Sequence, residues 1–175
     1  MGVSGSKWDE VERRAKCPAF RALKERVEHM FLGQYHHTLD EKGRLTIPSA
    51  FRKALTGGAF LSQGFDRNLM VMTADYFQQV YQRINAMSIT DPAARLLRRL
   101  LLSSAYQVEV DKSGRILLPQ TLREFIGSEA EAMVVGQGEY FEIWTPAEWS
   151  LQMQTLQDAD ANAGRFQTLN LSTGA

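Results

Sequence analysis

The sequence DEKGRLTIP at residues 40–48 determines the architecture of this chain, because a close copy, DKSGRILLP, recurs at residues 111–119. The match continues past the copies, where Arg52 aligns with Arg123 and Leu55 with Ile126. An internal repeat of this kind indicates one structural unit that is built twice.

Each copy predicts two strands joined by a tight charged turn. Gly43 and Gly114 lie in a short polar insert between apolar runs, where a positive φ costs little only for glycine. Pro48 and Pro119 end the second strand of each copy, because proline removes a hydrogen-bond donor from the ladder. Both prolines also suit the first turn of a helix.

A short helix should therefore follow each proline, at residues 49–55 and 120–126. Gly57 and Gly127 are expected to close these helices, since glycine adopts the left-handed conformation that often ends a helix. The predicted unit is strand, charged turn, strand, proline and short helix, written twice.

The segment between the copies predicts two more strands, at residues 59–62 and 69–72, and then two helices. Thr73 is the expected N-cap of an amphipathic helix. Pro92 occupies the first position of a second helix, whose cap is expected to be Asp91 or Thr90. These helices should form a hairpin between the repeats.

The remaining segments complete the expected organisation. Thr145 should cap a C-terminal helix, and the small polar residues from Asp158 onward predict disorder. The first 29 residues lack the repeat and predict a mobile or weakly helical extension, or else a helix that packs on a neighbouring subunit. The expected boundaries are 1–29 for the extension, 30–76 for the first repeat, 77–104 for the helical hairpin, 105–149 for the second repeat, and 150–175 for the C-terminal helix and tail.

Composition limits the possible functions. The 175 residues are 44% hydrophobic, enough for a packed core, and contain neither a membrane-spanning run nor a signal-peptide core, so we expect a cytoplasmic protein. The single cysteine, Cys17, excludes an internal disulfide framework and a cysteine zinc cluster. Motifs for phosphate loops, metal ligation or nucleophilic catalysis are lacking. We therefore expect no enzyme activity, cofactor, metal or small-molecule substrate.

The distribution of charged residues indicates that the two turns are the places where this chain could bind nucleic acid. Lys plus Arg and Asp plus Glu are 20 each, so any contact with nucleic acid requires a local concentration of cations. The turns supply one, and the residues expected to bind DNA are Asp40, Lys42, Gly43, Arg44, Arg52, Asp111, Lys112, Gly114, Arg115 and Arg123. Arginine forms bidentate contacts with phosphate and with guanine in the major groove, which a two-stranded ribbon can enter.

The two aspartates of this set need a separate explanation, because phosphate repels a carboxylate. We expect Asp40 and Asp111 to orient Arg44 and Arg115 through ion pairs across each turn. The alternatives are that they accept hydrogen bonds from cytosine N4, or that Asp and Arg only stabilise the hairpin.

A third group of cations lies outside the repeats. Arg95, Arg98 and Arg99 share one side of the second helix of the hairpin. They could bind phosphate, form a solvated face, or make ion pairs between subunits.

The paired turns resemble those of the MraZ family of bacterial transcriptional regulators, which carry two Asp-x-x-x-Arg units. The similarity extends to the start at residues 30–33 (MFLG), the helix at residues 98–102 (RRLLL), and the stretch from 134–137 (VVGQ) to Trp144. It covers about residues 30–156, so residues 1–29 depart from the family pattern.

The resemblance implies an α+β, mainly β fold: an AbrB-like double-psi, swapped-hairpin β-barrel made from two internal repeats, with short flanking helices. It also implies a ring-shaped homo-oligomer that binds direct repeats in promoter DNA. The expected output is repression of the division and cell-wall gene cluster, including the protein's own gene, by a nucleoid-associated protein. The alternative is a protein-interaction, scaffold or antitoxin-like module on the same barrel without a DNA target of its own.

Overall fold

The computed structural model describes residues 30–127, 130–167 and 169. The predicted extension at residues 1–29 lies outside this part of the chain. The strands of the described part are β1 Gln34–Thr38, β2 Arg44–Thr46, β3 Ala59–Gln63, β4 Leu69–Thr73, β5 Tyr106–Val108, β6 Arg115–Leu117, β7 Glu131–Gly136 and β8 Tyr140–Trp144. Its α-helices are α1 Ser49–Arg52, α2 Ala74–Ala86, α3 Pro92–Leu102, α4 Gln120–Ile126, α5 Pro146–Gln157 and α6 Ala159–Arg165. A 3₁₀ turn, Lys53–Leu55, extends α1.

The two repeats exchange strands. Among the described residues, six strands form one antiparallel sheet in the order β1-β7-β8-β4-β3-β5. Strand β1 of the first repeat pairs with β7 of the second, and β5 of the second repeat pairs with β3 of the first. Exchanging the repeats maps this order onto itself, so the barrel has a pseudo-twofold arrangement. The fold is the mainly β, swapped-hairpin structure that the repeats and the resemblance predicted.

The second strands of the two repeats form a separate ribbon. Strands β2 and β6 pair antiparallel, with Arg44 opposite Leu117, Leu45 opposite Ile116, and Thr46 opposite Arg115. Side chains alternate between the faces of a strand, and Leu45 and Ile116 have no exposed surface. The other face of the ribbon therefore carries the two arginines.

The hydrophobic core unites both repeats. The rings of Phe31, Phe51 and Phe141 meet at its centre, and Phe31 lies with its ring centroid 5.1 Å from each of the other two. Leu45 and Ile116 enter the same cluster from the inner face of the ribbon. Burial of each such side chain contributes roughly 1.5–3 kcal/mol. Neither repeat can bury its apolar face alone, so the ribbon is held rigidly against a shared core.

The helix starts agree with the sequence. Thr73, Asp91 and Thr145 each accept a backbone hydrogen bond at the start of their helix, from Tyr76, Ala93 and Glu148. Helices α2 and α3 form the predicted hairpin and pack their apolar faces on a second buried cluster that includes Met72, Ile84 and Leu101.

Two expectations differ from the structure. Gly58, with φ of 89°, takes the left-handed position after the first short helix, where the sequence predicted Gly57. Its N–H bonds the carbonyl of Leu55, because the final turn of that helix is 3₁₀ and the chain turns one residue later. Gly127 closes α4 as predicted, with φ of 66°.

The predicted disorder from Asp158 onward is wrong for residues 159–165, which form α6. Asp158 accepts a hydrogen bond from the N–H of Ala161, and Arg165 donates to the carbonyl of Thr155 in the preceding helix. These hydrogen bonds stabilise the helix, although the small polar residues of the segment favour disorder. In the part of the chain that the structure covers, no helix has the length and apolar character to cross a membrane.

Candidate nucleic-acid interface

The first charged turn is organised around the carboxylate of Asp40. Its Oδ1 accepts hydrogen bonds from the backbone N–H groups of Lys42 and Arg44, each at 3.0 Å. Its Oδ2 accepts from Nε of Arg44 at 2.7 Å. Gly43 occupies the tight position with φ of 75°, as predicted. The aspartate therefore closes the turn and fixes the arginine that follows it.

The second turn repeats this geometry. Asp111 Oδ1 accepts from the N–H groups of Ser113 and Arg115, at 2.8 and 3.0 Å. Its Oδ2 accepts from Nε of Arg115 at 3.0 Å, and Nη2 of the same guanidinium lies 3.0 Å from it as an ion pair. Gly114 has φ of 76°. Duplication of the sequence is thus duplication of the turn and of the hydrogen bonds that close it.

One ion pair joins the two turns. Nη1 of Arg115 lies 3.3 Å from Oδ2 of Asp40, although the two residues are 75 positions apart in the chain. All three guanidinium nitrogens of Arg115 therefore contact carboxylates. Arg44 contacts Asp40 through Nε, and its side chain is 33% exposed.

The hydrogen bonds also set the charge of the cluster. The backbone N–H of Arg44 contributes most to lowering the pKa of Asp40, with further donation from the Arg44 side chain and the N–H of Lys42. At Asp111, partial burial alone would raise the pKa, but hydrogen bonds from Arg115 and Ser113 outweigh it and lower the pKa. Each carboxylate, which is ionised at neutral pH even at its ordinary pKa of 3.8, therefore stays ionised to lower pH.

Arg52 and Arg123 each cover the turn of the opposite repeat. A Cβ atom at Gly43 would lie 2.7 Å from the guanidinium carbon of Arg123, and a Cβ at Gly114 would overlap that of Arg52. Arg52 Nε donates to the carbonyl of Ile47 at 2.9 Å. The buried Nε of Arg123 has no hydrogen-bond partner among the described residues. Both arginines pack on glycine because a side chain at that position would displace them.

The structure thus gathers the predicted residues into one surface. Asp40, Arg44, Asp111 and Arg115 form a single ion-paired cluster on the outer face of the ribbon. The two lysines, Lys42 and Lys112, are exposed on the turns at its ends.

Sequence reasoning missed two residues of this surface, Thr46 and Leu117. They lie opposite Arg115 and Arg44 on the same outward face. The alignment of the two repeats could have identified them. Thr46 aligns with Leu117, and a polar threonine in one repeat indicates that the equivalent position in the other repeat also faces outward.

The other arginine group has a different role. Arg98 Nη2 donates to the carbonyls of Ile84 and Met87, at 3.0 and 2.7 Å, and Arg95 donates to those of Ile89 and Thr90. These contacts tie α3 to the end of α2 and the following loop. The sequence suggested phosphate binding, a solvated face or ion pairs between subunits for these arginines. The backbone contacts of Arg95 and Arg98 explain both residues without any of the three, because they stabilise the hairpin. Arg99 is exposed.

A metal site is not a feature of the described residues, among which no group of three or more His, Cys, Asp or Glu side chains could hold an ion. His36 lies on the exposed face of β1, 3.5 Å from Glu131. His37 lies on the opposite face, where burial first, and then Arg52 and His36, lower its pKa.

These features define a class of protein: a swapped-hairpin barrel made from two halves of one chain, each presenting an Asp-Arg turn at one ribbon. The model of the MraZ protein family, which its description calls antitoxin-like, matches residues 30–100 and again residues 101–170. The chain therefore belongs to the MraZ family.

Curated relatives agree with this assignment. "Transcriptional regulator MraZ" of Thermomicrobium roseum is 44% identical over 141 residues, which cover 80% of this chain and 99% of the relative. The protein of the same name from Herpetosiphon aurantiacus is 43% identical, covering 74% of this chain and 90% of its own. That from Roseiflexus castenholzii is 42% identical, covering 78% and 94%.

A solved structure with some likeness is the solution structure of PHS018 from Pyrococcus horikoshii. It is 17% identical and covers 65% of this chain and 87% of its own, with a TM-score of 0.28. A score this low does not bear on the fold.

Proposed function

We propose that this protein is a sequence-specific, DNA-binding transcriptional regulator. The observation that carries the proposal is the duplicated Asp-Arg turn, whose two copies lie on one outward ribbon and share an ion pair between Asp40 and Arg115. The relatives' name, transcriptional regulator, supports the same function. The proposed role is binding, with no catalytic step and no cofactor.

The ribbon would contact double-stranded DNA through its outer face. Arg44 bonds Asp40 through Nε and has a side chain that is 33% exposed, so its Nη groups would be available for bidentate bonding to guanine O6 and N7 or to a phosphate. Nη1 of Arg115 carries two hydrogens, of which Asp40 accepts one, so a second acceptor can be bound. Asp40 and Asp111 act as positioning residues for these arginines.

The remaining residues of the predicted set surround this centre. Lys42 and Lys112 would meet phosphates at the ends of the ribbon, and Arg52 and Arg123 would add positive potential beside the turns. Gly43 and Gly114 give the turns their shape.

Assembly into a ring would make this contact strong enough to regulate a gene. One ribbon meets few phosphates, so its affinity at physiological salt is modest. A ring of identical subunits would place several ribbons along a series of direct promoter repeats and gain by multivalency. The proposed target is the promoter of the division and cell-wall gene cluster, where a cytoplasmic, nucleoid-associated protein would repress the cluster and its own gene.

A second candidate is a protein-interaction or antitoxin-like module that uses the barrel without a DNA target. Two observations favour it: the family's antitoxin-like description, and the ion pairs that neutralise much of the arginines' charge. It requires a stable complex with another protein and no salt-sensitive binding to DNA.

Fluorescence anisotropy separates the two candidates. The probes are the fragment upstream of the protein's own gene and a scrambled fragment of equal length, titrated at several salt concentrations. A regulator that makes roughly 6 to 10 phosphate contacts should lose about 10³- to 10⁵-fold in affinity between 50 and 200 mM salt and prefer the native fragment throughout. Equal binding of both fragments, or none, contradicts the proposed function.

A further inference from the structure

The two halves of the ribbon differ at one equivalent position. Thr46 and Leu117 each lie two residues after the arginine of their repeat and face outward with it. Leu117 is 55% exposed, whereas its neighbour Ile116 is fully buried. A leucine on the face opposite the core contributes nothing to the packing of the core.

The register places Leu117 beside an arginine of the proposed DNA surface. The N–H of Leu118 bonds the carbonyl of Gly43 at 2.9 Å, and that of Ile47 bonds the carbonyl of Gly114 at 2.9 Å. Because hydrogen-bonded and non-bonded pairs alternate along an antiparallel ribbon, Arg44 and Leu117 form a non-bonded pair. Side chains approach most closely in such pairs, so a base edge within reach of Arg44 is also within reach of Leu117.

The apolar side chain of Leu117 limits which groups on DNA it can bind. A leucine gains nothing from phosphate or from the polar atoms of bases. The apolar group on a base edge in the major groove is the C5-methyl of thymine. Thr46 presents a methyl and a hydroxyl at the equivalent place, so the two halves of the ribbon offer different chemistry to DNA.

We propose that Leu117 is a specificity-determining residue that packs on a thymine methyl next to the base contacted by Arg44. This inference rests on the proposed function. It makes the ribbon's target asymmetric, although the barrel is pseudo-symmetric: Leu117 can recognise a base only by apolar contact with the thymine methyl, whereas Thr46 can also form hydrogen bonds with bases.

Deoxyuridine substitution tests the contact, since uracil pairs like thymine but lacks the methyl. Each thymine of the fragment upstream of the protein's own gene is replaced in turn, and binding is measured for the full-length protein. The wild type should lose about three- to fivefold in affinity at one or a few positions, the effect of one methyl removed from an apolar contact. Leu117→Ala should bind the native fragment a few-fold more weakly and be indifferent to uracil at those positions.

Leu151→Ala is the matched control, because Leu151 is 57% exposed and lies on α5, which packs on β7. It should keep the wild-type uracil profile. Binding of Leu117→Ala to scrambled DNA and its salt dependence should also match the wild type, since leucine meets no phosphate.

The experiment distinguishes a failure of the proposed Leu117 contact from a failure of the proposed function. If the wild type prefers the native fragment but Leu117→Ala keeps the same uracil profile, this inference alone is overturned. A change in the oligomeric mass of Leu117→Ala by light scattering also overturns it, because Leu117 would then contact another subunit. If the wild type does not distinguish native from scrambled DNA, the proposed function fails and takes this inference with it.

Discussion

Asp40 and Arg115, which belong to different repeats, form an ion pair of 3.3 Å across the β2-β6 ribbon. Asp40 also holds Arg44 at 2.7 Å, so one carboxylate contacts both arginines of the ribbon. Asp111 contacts Arg115 alone. The two turns are therefore similar in shape but unequal in their connections.

This inequality predicts different effects for the two aspartates. Asp40→Asn should weaken binding to the native promoter fragment by about tenfold or more, because charge-assisted hydrogen bonds to both arginines are lost. Asp111→Asn should have a smaller effect, since the link from Asp40 still holds Arg115. Anisotropy on the same fragment measures both. Tighter binding by Asp40→Asn would instead mean that repulsion between Asp40 and phosphate dominates.

The turn glycines should be sensitive to a single methyl group. Gly43→Ala places a side chain at φ of 75° and against the guanidinium of Arg123, so we expect a loss of about 1–3 kcal/mol in the free energy of unfolding. Urea denaturation measures it. Gly57→Ala is the control, because Gly57 has open space around its Cβ position and no positive φ. Equal effects of the two variants would contradict the proposed constraint on the turn.

The helical hairpin should depend on Arg98 and not on Arg99. Arg98→Ala removes the donor to the carbonyls of Ile84 and Met87 and should cost about 1–3 kcal/mol in the free energy of unfolding. Arg99→Ala, at an exposed neighbour, should be nearly neutral. Both variants should bind the promoter fragment like the wild type once folded, and a specific loss of DNA affinity in Arg98→Ala would restore the phosphate-binding interpretation of this helix.

Glu142 should make stability depend on pH. Burial raises the pKa of this carboxyl above its ordinary 4.5, and hydrogen bonds from Trp144 and Gln137 only partly oppose the shift. A raised pKa means that the folded state binds the proton more tightly, so the stability due to this group is present below about pH 4.5 and is lost as the pH rises through the folded-state pKa.

Glu142→Gln keeps an acceptor for the indole N–H of Trp144 and removes the titration. Urea unfolding of both proteins at several pH values should show the stability of the wild type falling relative to the variant as the pH rises above about 4.5. A difference that stays constant over this range would contradict the assigned direction.

Much of the fold followed from local chemistry in the sequence. Gly43 and Gly114 marked the turns, and Thr73, Asp91 and Thr145 marked helix starts, because these residue types act on their immediate neighbours. Strand exchange was expected from the resemblance to a family, since local residues do not say which strand a neighbour will join. The error at Gly57 has a local cause: the first short helix ends in a 3₁₀ turn, which moves the left-handed glycine one residue on without changing the composition.

The sequence predicted which residues form the candidate site, but not which of them form ion pairs with each other. The repeat identified Asp40, Arg44, Asp111 and Arg115, yet the bond between Asp40 and Arg115 spans 75 positions and exists only because β2 pairs with β6. Leu117 was missed because two consecutive leucines hide the alternation of faces. Its alignment with Thr46 shows which of the two points outward.

Removing the two ribbon arginines together tests most directly whether the ribbon contacts DNA. The double variant Arg44→Ala/Arg115→Ala, compared with Arg83→Ala on the exposed side of α2, is titrated against the native and scrambled fragments at fixed salt, with oligomeric mass checked by light scattering. We expect the double variant to lose the preference for the native fragment, with roughly 1–3 kcal/mol lost per arginine, while Arg83→Ala binds like the wild type and every mass is unchanged. Native-fragment binding that persists in the double variant would show that the ribbon is not the DNA contact.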